Sequence, residues 1–398
     1  MSGCRLRIGM VALDFHREGG SEGRTAHLVD RLVADGHDVH LVGARIMGSW
    51  DRRVVQRPIP TPAHPHWLEV LRFARRAEAV VRSERYDVVH NQIRPFVPGI
   101  VTVGGGSHRF YLDEVLPREQ GSWRAAVRRR LPLHRILLAM ERQGFVPERC
   151  PFIIANSQLS RSGILRHYSF PPERIVVAHN GVDPVRFTPE SRPLYREATR
   201  QRLGIGPEEY AVLFVGQGFA RKGLGTLLAA LAALSRRGVG ARLVVVGRGS
   251  SRPWTREAAR LGIESRVTMV GHVSNPVPFY AAADAFALPT FFDPFANATL
   301  EAMAAGLPVV SSGQNGAAEV LRSGVNGLVV DRPDDVTGLV EALSSLADPA
   351  TRRAMGERAR QTALQYPWEQ PLERTLAVYR EVIGAQQRVQ SHKEHFAT

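Results

Sequence analysis

Residues 5–44, RLRIGMVALDFHREGGSEGRTAHLVDRLVADGHDVHLVGA, decide the fold. The apolar run at 5–13 predicts a buried β-strand, and a glycine loop at 17–24 follows it. Apolar residues at helical spacing over 25–37 predict a helix that ends near Gly36, and residues 39–44 predict a second strand. The order strand, glycine loop, helix, strand is typical of the opening of a Rossmann-like domain.

The same alternation continues along the chain, and a second series of strands and helices begins at residue 210. Nearly continuous apolar strands imply parallel sheets that helices cover on both faces. We therefore expect an α/β protein with two facing, doubly wound Rossmann-like domains and an active site in the cleft between them. The predicted parts are an N-terminal domain (1–183), a linker (184–207), a C-terminal domain (208–366), a helix packing back on the N-terminal domain (367–385) and a frayed tail (386–398).

The composition argues against several classes of protein. Only Cys4 and Cys150 are cysteines, which disfavours a disulfide framework or a CxxC metal site and favours a reducing, cytoplasmic compartment. The first residues lack the uninterrupted apolar region of a signal peptide, and no apolar run is long enough for a membrane-spanning helix.

The charge of the chain is strongly basic and comes almost entirely from arginine. The formal net charge is +14, which favours an anionic partner, and Lys222 and Lys393 are the two lysines among 52 basic residues. A genome that favours arginine codons accounts for the bias itself. Lys222, which lies inside the predicted folded body, is therefore the lysine that needs an explanation.

Glycine-containing loops follow three predicted strands, at Gly19-Gly20, Gly104-Gly105-Gly106 and Gly216-Gln217-Gly218. Glycine lets backbone N–H groups approach an anion closely, although a tight turn needs glycine in any case. In VGQGFARKG (215–223), Arg221 and Lys222 directly precede an apolar helix that has no acid in its first turn. Two adjacent cations at this position favour phosphate binding over a merely solvated helix end.

The segment FFDPFANATLEAMAAGLPVV (291–310) holds two acids, Asp293 and Glu301, among apolar and small residues. A helix that begins near Asn297 or Ala298 would offer its first N–H groups to an anion, with Glu301 one turn inside. A buried carboxylate needs a partner, and the paired hydroxyls of a ribose would supply one. The alternatives are a capping role for Asp293 and a hydrogen-bonded structural role for Glu301.

These motifs resemble those of the family-4 retaining glycosyltransferases, which have the GT-B fold. The E-x7-E motif and the EAMAxGxPVV block of that family appear as Asp293-x7-Glu301 and AMAAGLPVVSS. The GGxE, NGVD and G-A-A-E motifs appear at 19–22, 180–183 and 316–319, and residues 217–223 most resemble the lipopolysaccharide core glucosyltransferase I group. Two positions depart from the family: Asp293 stands for a glutamate, and Gln217 replaces the commoner arginine.

The resemblance implies a role for each matching residue. The donor-binding residues that it implies are Gly19, Gly20, Gly216, Arg221, Lys222, Gly247, Asn297, Ala298, Thr299 and Glu301. The catalytic residues that it implies are His108, Asp293, Arg221 and Lys222. Glu301 would hold the ribose, Asp293 would face hydroxyls of the transferred sugar, and His108 would face the donor sugar and the acceptor. The alternative for His108 is an ordinary core or surface histidine.

The implied reaction is transfer of a hexose, expected to be glucose, from a UDP-linked donor to a lipid-linked or lipopolysaccharide core saccharide, with retention of configuration. No D-x-D metal clamp occurs in the sequence, so we expect a metal-independent enzyme without a cofactor. Arg221, Lys222 and the helix N-terminus would then handle the charge of the leaving group. Front-face substitution is preferred to double displacement, because Asp293 is the one candidate nucleophile and its implied role is donor contact.

Residues 118–142 predict contact with an anionic membrane surface. They contain seven arginines against two acids, and the interleaved apolar residues are Trp123, Leu131, Leu133, Ile136, Leu137 and Leu138. Such a segment can lie on an anionic membrane face, whereas a solvated helix would balance its charges. We expect a cytoplasmic enzyme at the inner face of the cell membrane, where it would meet a glycolipid or lipopolysaccharide acceptor.

Other functions are weighed against this one. A UDP-sugar 2-epimerase has the same two-domain layout but should lack the EAMAxGxPVV block. A nucleic-acid-binding protein, which the basic charge suggests, would have no use for Asp293 or Glu301, so no nucleic-acid partner is expected. A glycosyltransferase for another cell-envelope glycan or glycolipid stays an open alternative.

Overall fold

The fold is described from a computed structural model, which describes residues 5–17, 20–62 and 64–395. The chain divides into two compact units. The N-terminal unit comprises Met1–Asn180 together with Glu369–Thr398, and the C-terminal unit comprises Gly181–Trp368. Each unit is built on a parallel sheet, so the predicted α/β class with two doubly wound sheets is confirmed.

The sheet of the N-terminal unit has seven described strands: β1 (Arg7–Phe15), β2 (Asp38–Ile46), β3 (Val55–Pro58), β4 (Val88–Gln92), β5 (Ile100–Val103), β6 (Ile153–Ala155) and β7 (Ile175–Val177). Their order across the sheet is β3-β2-β1-β4-β5-β6-β7, and all pairs are parallel. The strand order reverses between β1 and β4. Ligands of open α/β sheets bind at the carboxyl ends of the strands beside such a reversal.

Helices cover both faces of this sheet. They are α1 (Gly20–Ala34), α2 (His66–Glu84), α3 (His108–Phe110), α4 (Leu116–Gln120), α5 (Ser122–Arg130), α6 (Pro132–Gly144), α7 (Gln158–Leu165) and α15 (Glu369–His395). Successive residues of a strand point to opposite faces. Met10 accordingly packs in a cluster with Leu32 of α1 and Tyr379 of α15, whereas Val11 packs in a cluster with Phe73 of α2.

The sheet of the C-terminal unit has six described strands: β8 (Tyr210–Val215), β9 (Ala241–Val246), β10 (Val267–Gly271), β11 (Ala285–Leu288), β12 (Val309–Ser312) and β13 (Gly327–Val330). Their order is β10-β9-β8-β11-β12-β13, and all pairs are again parallel. The reversal falls between β8 and β11. The helices of this unit are α8 (Arg192–Leu203), α9 (Leu224–Arg236), α10 (Arg252–Arg260), α11 (Val277–Ala282), α12 (Asn297–Ala304), α13 (Val336–Ser345) and α14 (Pro349–Ala363).

The structure differs from the sequence-based expectations in the linker, in the C-terminal helix and in two strands. Residues 184–207, predicted as a linker, contain α8 and belong to the C-terminal unit. Helix α15 belongs to the N-terminal unit and extends to His395, beyond the end predicted at 385. Strands β3 and β13 were not predicted from the sequence; β3, with Gln56, Arg57 and Pro58, has no apolar run.

Candidate active site

Two loops meet at the strand reversal of the C-terminal sheet. The loop after β8 and the loop after β11 are neighbours because these strands pair directly. The carbonyl of Arg221 accepts hydrogen bonds from the N–H of Phe291 at 2.8 Å and from Oγ1 of Thr290 at 3.1 Å. Gly223 has a φ of 80°, and a Cβ at this position would overlap the carbonyl of Pro289. Only glycine therefore allows the two loops to approach this closely.

Asp293 forms a buried ion pair with the cations of the neighbouring loop. Nζ of Lys222 lies 2.8 Å from Oδ2 of Asp293, and Nη1 of Arg221 lies 3.4 Å from the same oxygen and donates to the carbonyl of Phe292. Lys222 and Asp293 are each only 8% exposed. Burial acts to raise the pKa of Asp293, but the charges of Lys222 and Arg221 outweigh it and hold that pKa below its ordinary value. Asp293, predicted to face sugar hydroxyls, thus has a partner inside the protein.

The predicted glycines of this unit lie beside Lys222. A Cβ on Gly216 would overlap Cδ of Lys222 and lie 2.7 Å from its Cε, so the lysine stem packs directly against the Gly216 backbone. The N–H of Gly216 donates to the carbonyl of Val246 at 2.9 Å. A Cβ on Gly247 would in turn overlap the carbonyl of Gly216. The structure therefore brings Gly216, Lys222 and Gly247 together at the carboxyl ends of β8 and β9.

Asn315 fixes the start of α12. Its Oδ1 accepts from the N–H of Ala296 at 3.2 Å, and its Nδ2 donates to Oγ1 of Thr299 at 3.0 Å. Asn297 and Ala298 are the first two residues of the helix, as the sequence predicts. The side chain of Thr299 is buried, and its N–H donates to the carbonyl of Ala296 at 2.9 Å. A phosphate of the sugar donor that contacts this N–H, as the resemblance implies, would therefore share it with that carbonyl.

Glu301 lies one turn inside α12 and has a neutral partner. The hydroxyl of Tyr280 donates to Oε2 of Glu301 at 2.7 Å. Burial raises the pKa of Glu301, although this hydrogen bond and the positive charges of Arg186 and Lys222 act in the opposite direction. A carboxylate offers about four lone-pair sites, so the tyrosine leaves acceptor capacity for further hydroxyl groups.

Tyr280 is itself held rigidly. It is 1% exposed, its ring meets Phe187 edge-on at 5.4 Å between centroids, and it stacks on Phe286 at 6.3 Å. Burial raises its pKa above the ordinary value, so the hydroxyl stays protonated and donates. The tyrosine therefore fixes one oxygen of Glu301.

His108 lies in the N-terminal unit, after the carboxyl end of β5, at the first position of α3. The carboxylate of Glu141 accepts hydrogen bonds from the N–H groups of His108 at 2.6 Å and Arg109 at 3.1 Å, which fixes the start of the helix. Nε2 of His108 lies 2.9 Å from Nδ1 of His134, and the two rings are stacked. Burial and the charge of Arg94 lower the pKa of His108 to about 3, so its ring is neutral at physiological pH.

The remaining predicted residues are the two glycines of the first loop. Gly19 lies outside the described residues, and Gly20 is the first residue of α1. Their contacts with a donor stay predictions. In the described ranges no three His, Cys, Asp or Glu side chains are grouped so that they could hold a metal ion. The expectation of a metal-independent reaction likewise stays a prediction.

Sequence reasoning missed the residues that support the predicted ones. They are Arg186, Tyr280 and Asn315 in the C-terminal unit and Arg94, His134 and Glu141 in the N-terminal unit. All of them reach their partners through tertiary structure. Among these residues only Arg186 and Asn315 lie close to a recognisable sequence motif. Arg186 follows the NGVD motif by three residues, and Asn315 directly precedes the G-A-A-E block.

Residues 118–142 form parts of α4 to α6, and the predicted apolar anchors divide into two groups. Trp123 is 68% exposed, and Leu131 is also exposed. Leu137 is buried, and Leu133 and Ile136 pack against the same core, while Leu138 packs against a smaller cluster with Leu112. Of the six interleaved apolar residues only Trp123 and Leu131 are exposed, because α6 uses its apolar stripe to cover the sheet. None of the described helices is long and apolar enough to cross a membrane.

Comparison with known proteins gives matches in both units. Residues 209–348 match the family model described as "Glycosyl transferases group 1", and residues 18–186 match that described as "Glycosyltransferase Family 4". A D-inositol 3-phosphate glycosyltransferase of Salinispora tropica is 31% identical over 326 residues, which are 78% of this chain and 67% of that protein. Another, of Segniliparus rotundus, is 34% identical over 238 residues, or 58% of this chain, and the match spans 52% of that relative's length.

Two solved structures are similar in fold. WaaG, a glycosyltransferase involved in lipopolysaccharide biosynthesis, has a TM-score of 0.79 at 24% identity and covers 92% of this chain and 98% of its own. HepE of Anabaena, in complex with UDP-glucose, has a TM-score of 0.67 at 17% identity and covers 96% of this chain and 100% of its own. The fold is that of the GT-B glycosyltransferases, and the chain belongs to the glycosyltransferase family 4.

Proposed function

We propose that this protein is a retaining glycosyltransferase that transfers a hexose from a UDP-linked donor. The observation that carries the proposal is the meeting of Lys222 and Arg221 with the start of α12 at the strand reversal of the C-terminal sheet, with Glu301 one turn inside. A nucleoside diphosphate carries its phosphates next to its ribose. The cations and backbone N–H groups of this site suit the phosphates, and the neighbouring carboxylate suits the ribose.

Lys222 is suited to a diphosphate because it is already oriented. Its ammonium has three donors, and the contact with Asp293 uses one of them. The ion pair holds the lysine against Gly216, so little ordering is needed when a diphosphate binds. As the bond between the anomeric carbon and the phosphate oxygen breaks, Lys222 and Arg221 would stabilise the charge that develops on the leaving UDP.

Glu301 is suited to a ribose. Glu301 is half-buried, and the hydroxyl of Tyr280 occupies one oxygen of its carboxylate. Two neighbouring ribose hydroxyls would donate to the remaining lone pairs. The likeness in fold to HepE, which was solved with UDP-glucose, supports UDP as the nucleotide and glucose as the sugar.

The proposed reaction is a front-face substitution. The acceptor hydroxyl forms a new bond to the anomeric carbon on the side that the leaving phosphate departs from, so the configuration is retained. The hydroxyl proton passes to an oxygen of that phosphate. Asp293 is held by Lys222 and Arg221, which makes it a positioning group for these cations rather than a nucleophile. The neutral ring of His108 would contact the acceptor side.

The proposed acceptor is a lipid-linked or lipopolysaccharide core saccharide at the inner face of the cell membrane. Helix α5 supports this proposal, because it presents exposed Trp123 and Val127 together with three exposed arginines, Arg124, Arg128 and Arg130. The guanidinium of Arg124 lies 5.2 Å from the Trp123 ring. An exposed aromatic residue among cations favours an anionic membrane surface.

A second acceptor is favoured by a separate observation. The matched relatives from Salinispora tropica and Segniliparus rotundus are named D-inositol 3-phosphate glycosyltransferases. A phosphorylated cyclitol is therefore the alternative acceptor for the same donor site.

The test is a donor screen followed by product analysis. We expect UDP-glucose to raise the melting temperature more than GDP- or ADP-glucose, and mass analysis to show hexose added to a lipid-core saccharide. A parallel reaction with D-inositol 3-phosphate distinguishes the two acceptors. Lys222→Ala and Glu301→Ala should abolish transfer with the fold intact, while Arg260→Ala on the exposed face of α10 should not. Full activity in both site variants would refute the proposed site.

A further inference from the structure

Arg24, in the second turn of α1, is a buried cation without a visible counter-charge. It is 5% exposed, and within the described residues neither Nη1 nor Nη2 has a hydrogen-bond partner. Burial lowers its pKa to about 10, so the guanidinium still carries its charge at neutral pH. Leaving a buried charge unpaired is strongly unfavourable, and native proteins rarely do so without a reason.

A second unpartnered donor follows β4. Gln92, the last residue of that strand, is also 5% exposed, and its Nε2 has no partner within the described residues. Its Oε1 accepts a hydrogen bond from Oγ1 of Thr25 at 3.1 Å. Thr25 is the residue after Arg24, so this bond ties the side-chain amide to the same turn of α1. With the amide oxygen engaged, only the NH₂ group of Gln92 is left to bind something else.

The other titratable groups that interact with Arg24 in the part of the chain that the structure describes cannot neutralise it. They are His90 of β4 and Tyr379 of α15. The charge of Arg24 disfavours a protonated His90 and favours an ionised Tyr379. Nδ1 of His90 lies 2.7 Å from the Tyr379 hydroxyl, and its Nε2 lies 2.7 Å from Oγ1 of Thr102. Burial, with a smaller contribution from Arg24, lowers the pKa of His90 to about 3, and burial raises that of Tyr379. Both are therefore neutral and engaged with each other.

These donors stand where a ligand would be expected. Helix α1 and strand β4 flank the strand reversal between β1 and β4, which is where open α/β sheets bind ligands. Next to Gln92, Ile93 has a φ of 73°, and the N–H of Arg94 donates to the carbonyl of Gln92 at 2.9 Å. A β-branched residue in this γ-turn is strained, and such strain concentrates at functional sites.

We propose that Arg24 and Gln92 form an oxyanion site in the N-terminal unit that binds a phosphate group of a substrate. A guanidinium presents parallel N–H donors that match two phosphate oxygens, and the Gln92 amide would supply a third donor. The phosphate comes from the donor diphosphate or from a phosphorylated acceptor. The inference rests on the proposed function in naming these two sources.

Calorimetric titration of Arg24→Met with UDP and with D-inositol 3-phosphate separates the sources. We expect its affinity to fall at least 10-fold for one of the two ligands. A fall for D-inositol 3-phosphate alone assigns the site to the acceptor, and a fall for UDP assigns it to the donor. Arg31→Met is the matched control, because Arg31 lies on the same helix but pairs with Asp35 and Glu373 at the surface. It should bind both ligands as the wild type does.

Thermal melting gives a readout that does not depend on the reaction. In phosphate-free buffer Arg24→Met should melt no lower than the wild type, since it removes an uncompensated charge. Added inorganic phosphate should raise the melting temperature of the wild type and of Arg31→Met but not of Arg24→Met. Gln92→Leu, which leaves the charge in place, should show a smaller loss of the phosphate effect.

Two results would overturn the inference. One is wild-type affinity of Arg24→Met for both ligands, together with an unchanged response to phosphate. The other is a melting temperature of Arg24→Met several degrees below the wild type in phosphate-free buffer, which would mean that the guanidinium has a structural partner. In either case UDP binding to the wild type would leave the proposed function standing, whereas a wild type that binds no UDP would refute that function separately.

Discussion

Asp293 and Glu301 lie eight residues apart in one segment, yet the protein treats their charges in opposite ways. Asp293 is paired with Lys222 and Arg221, and its pKa lies below the ordinary value. Among the described residues Glu301 has only the hydroxyl of Tyr280 as a direct partner, and its pKa lies above the ordinary value. The fold thus stabilises the ionised form of Asp293 and destabilises the ionised form of Glu301.

In the proposed function, the difference separates a positioning group, Asp293, from a ligand-binding group, Glu301. Because Asp293 already has cationic partners, its role is to hold Lys222 where a diphosphate would bind. Glu301 keeps acceptor capacity that the protein does not fill, so a ligand with paired hydroxyls would complete it.

Replacing Lys222 should have the largest effect. Lys222→Met should lower the transfer rate about 100- to 1,000-fold, since it removes a preorganised donor to the leaving group. It should also lower the free energy of unfolding by up to about 3–5 kcal/mol, because the buried Asp293 loses its nearer partner and keeps only Arg221, at 3.4 Å. Steady-state kinetics and urea denaturation measure the two effects.

A double variant separates them. Lys222→Met with Asp293→Asn should recover most of the stability and none of the activity, because the buried carboxylate that lacks its lysine is gone but so is the phosphate contact. Arg260→Met, which breaks a surface pair with Glu257, serves as the control and should change neither quantity measurably. Recovery of activity in the double variant would contradict the role assigned to Lys222.

Replacing Glu301, unlike replacing Lys222, should not lower the free energy of unfolding at neutral pH. Since the folded protein raises the pKa of Glu301, it binds the proton more tightly than the unfolded chain, and stability falls as pH rises through the raised value. Glu301→Gln should therefore be at least as stable as the wild type at pH 7. UDP affinity should fall roughly 10- to 100-fold, as expected for lost hydrogen bonds to a charged group. Reduced stability at pH 7 would show that the carboxylate is a structural group.

The pH dependence of UDP binding should distinguish the two acids. As pH falls from neutral, Glu301 is protonated first, because its pKa is raised, and it then loses acceptor capacity. Asp293 stays ionised to a lower pH than an ordinary aspartate, because its pKa is lowered. UDP affinity of the wild type should fall by up to about 10-fold more than that of Glu301→Gln over this range. The comparison with the variant removes the titration of the ligand itself. Parallel pH profiles would exclude Glu301 as the titrating group.

The smallest effect is expected from Gly216→Ala. The added methyl group would overlap Cδ of Lys222 and displace the lysine stem from Asp293. Overpacking of this kind costs about 1–3 kcal/mol, and we expect a several-fold loss of transfer rate. Gly225→Ala is the matched control, because its Cβ would make an ordinary contact of 3.5 Å with Trp254 inside helix α9. Equal activity of the two variants would show that Lys222 tolerates displacement.

Local patterns predicted most of the fold. The runs at 5–13 and 210–217 became β1 and β8, because a strand buried on both faces must be apolar throughout. Strand β3 was missed, since an edge strand that ends in Pro58 shows no such run. The segment 184–207 was expected to be a linker because it is polar, but α8 packs on the C-terminal unit through arginines such as Arg200, which donates to the carbonyl of Ala282.

The candidate site was predictable only in part. Lys222 was identified because a lysine is rare in this chain, and Glu301 because its surroundings are apolar. The Lys222–Asp293 pair joins residues 71 positions apart, so no local pattern could show it. Arg24 was overlooked among many arginines, because only the fold determines that its guanidinium is buried with no hydrogen-bond partner among the described residues.

The most direct test compares UDP with uridine, which has the ribose but no phosphate. Calorimetry on the wild type, the Lys222→Met/Asp293→Asn variant and Glu301→Gln would measure both affinities. We predict that the double variant binds uridine as the wild type does and loses most of the advantage of UDP over uridine. Glu301→Gln should weaken both ligands by a similar factor. A Glu301→Gln protein that binds uridine with wild-type affinity would contradict the assignment of the ribose to Glu301, and a double variant that keeps the full advantage of UDP over uridine would contradict the assignment of the diphosphate to Lys222.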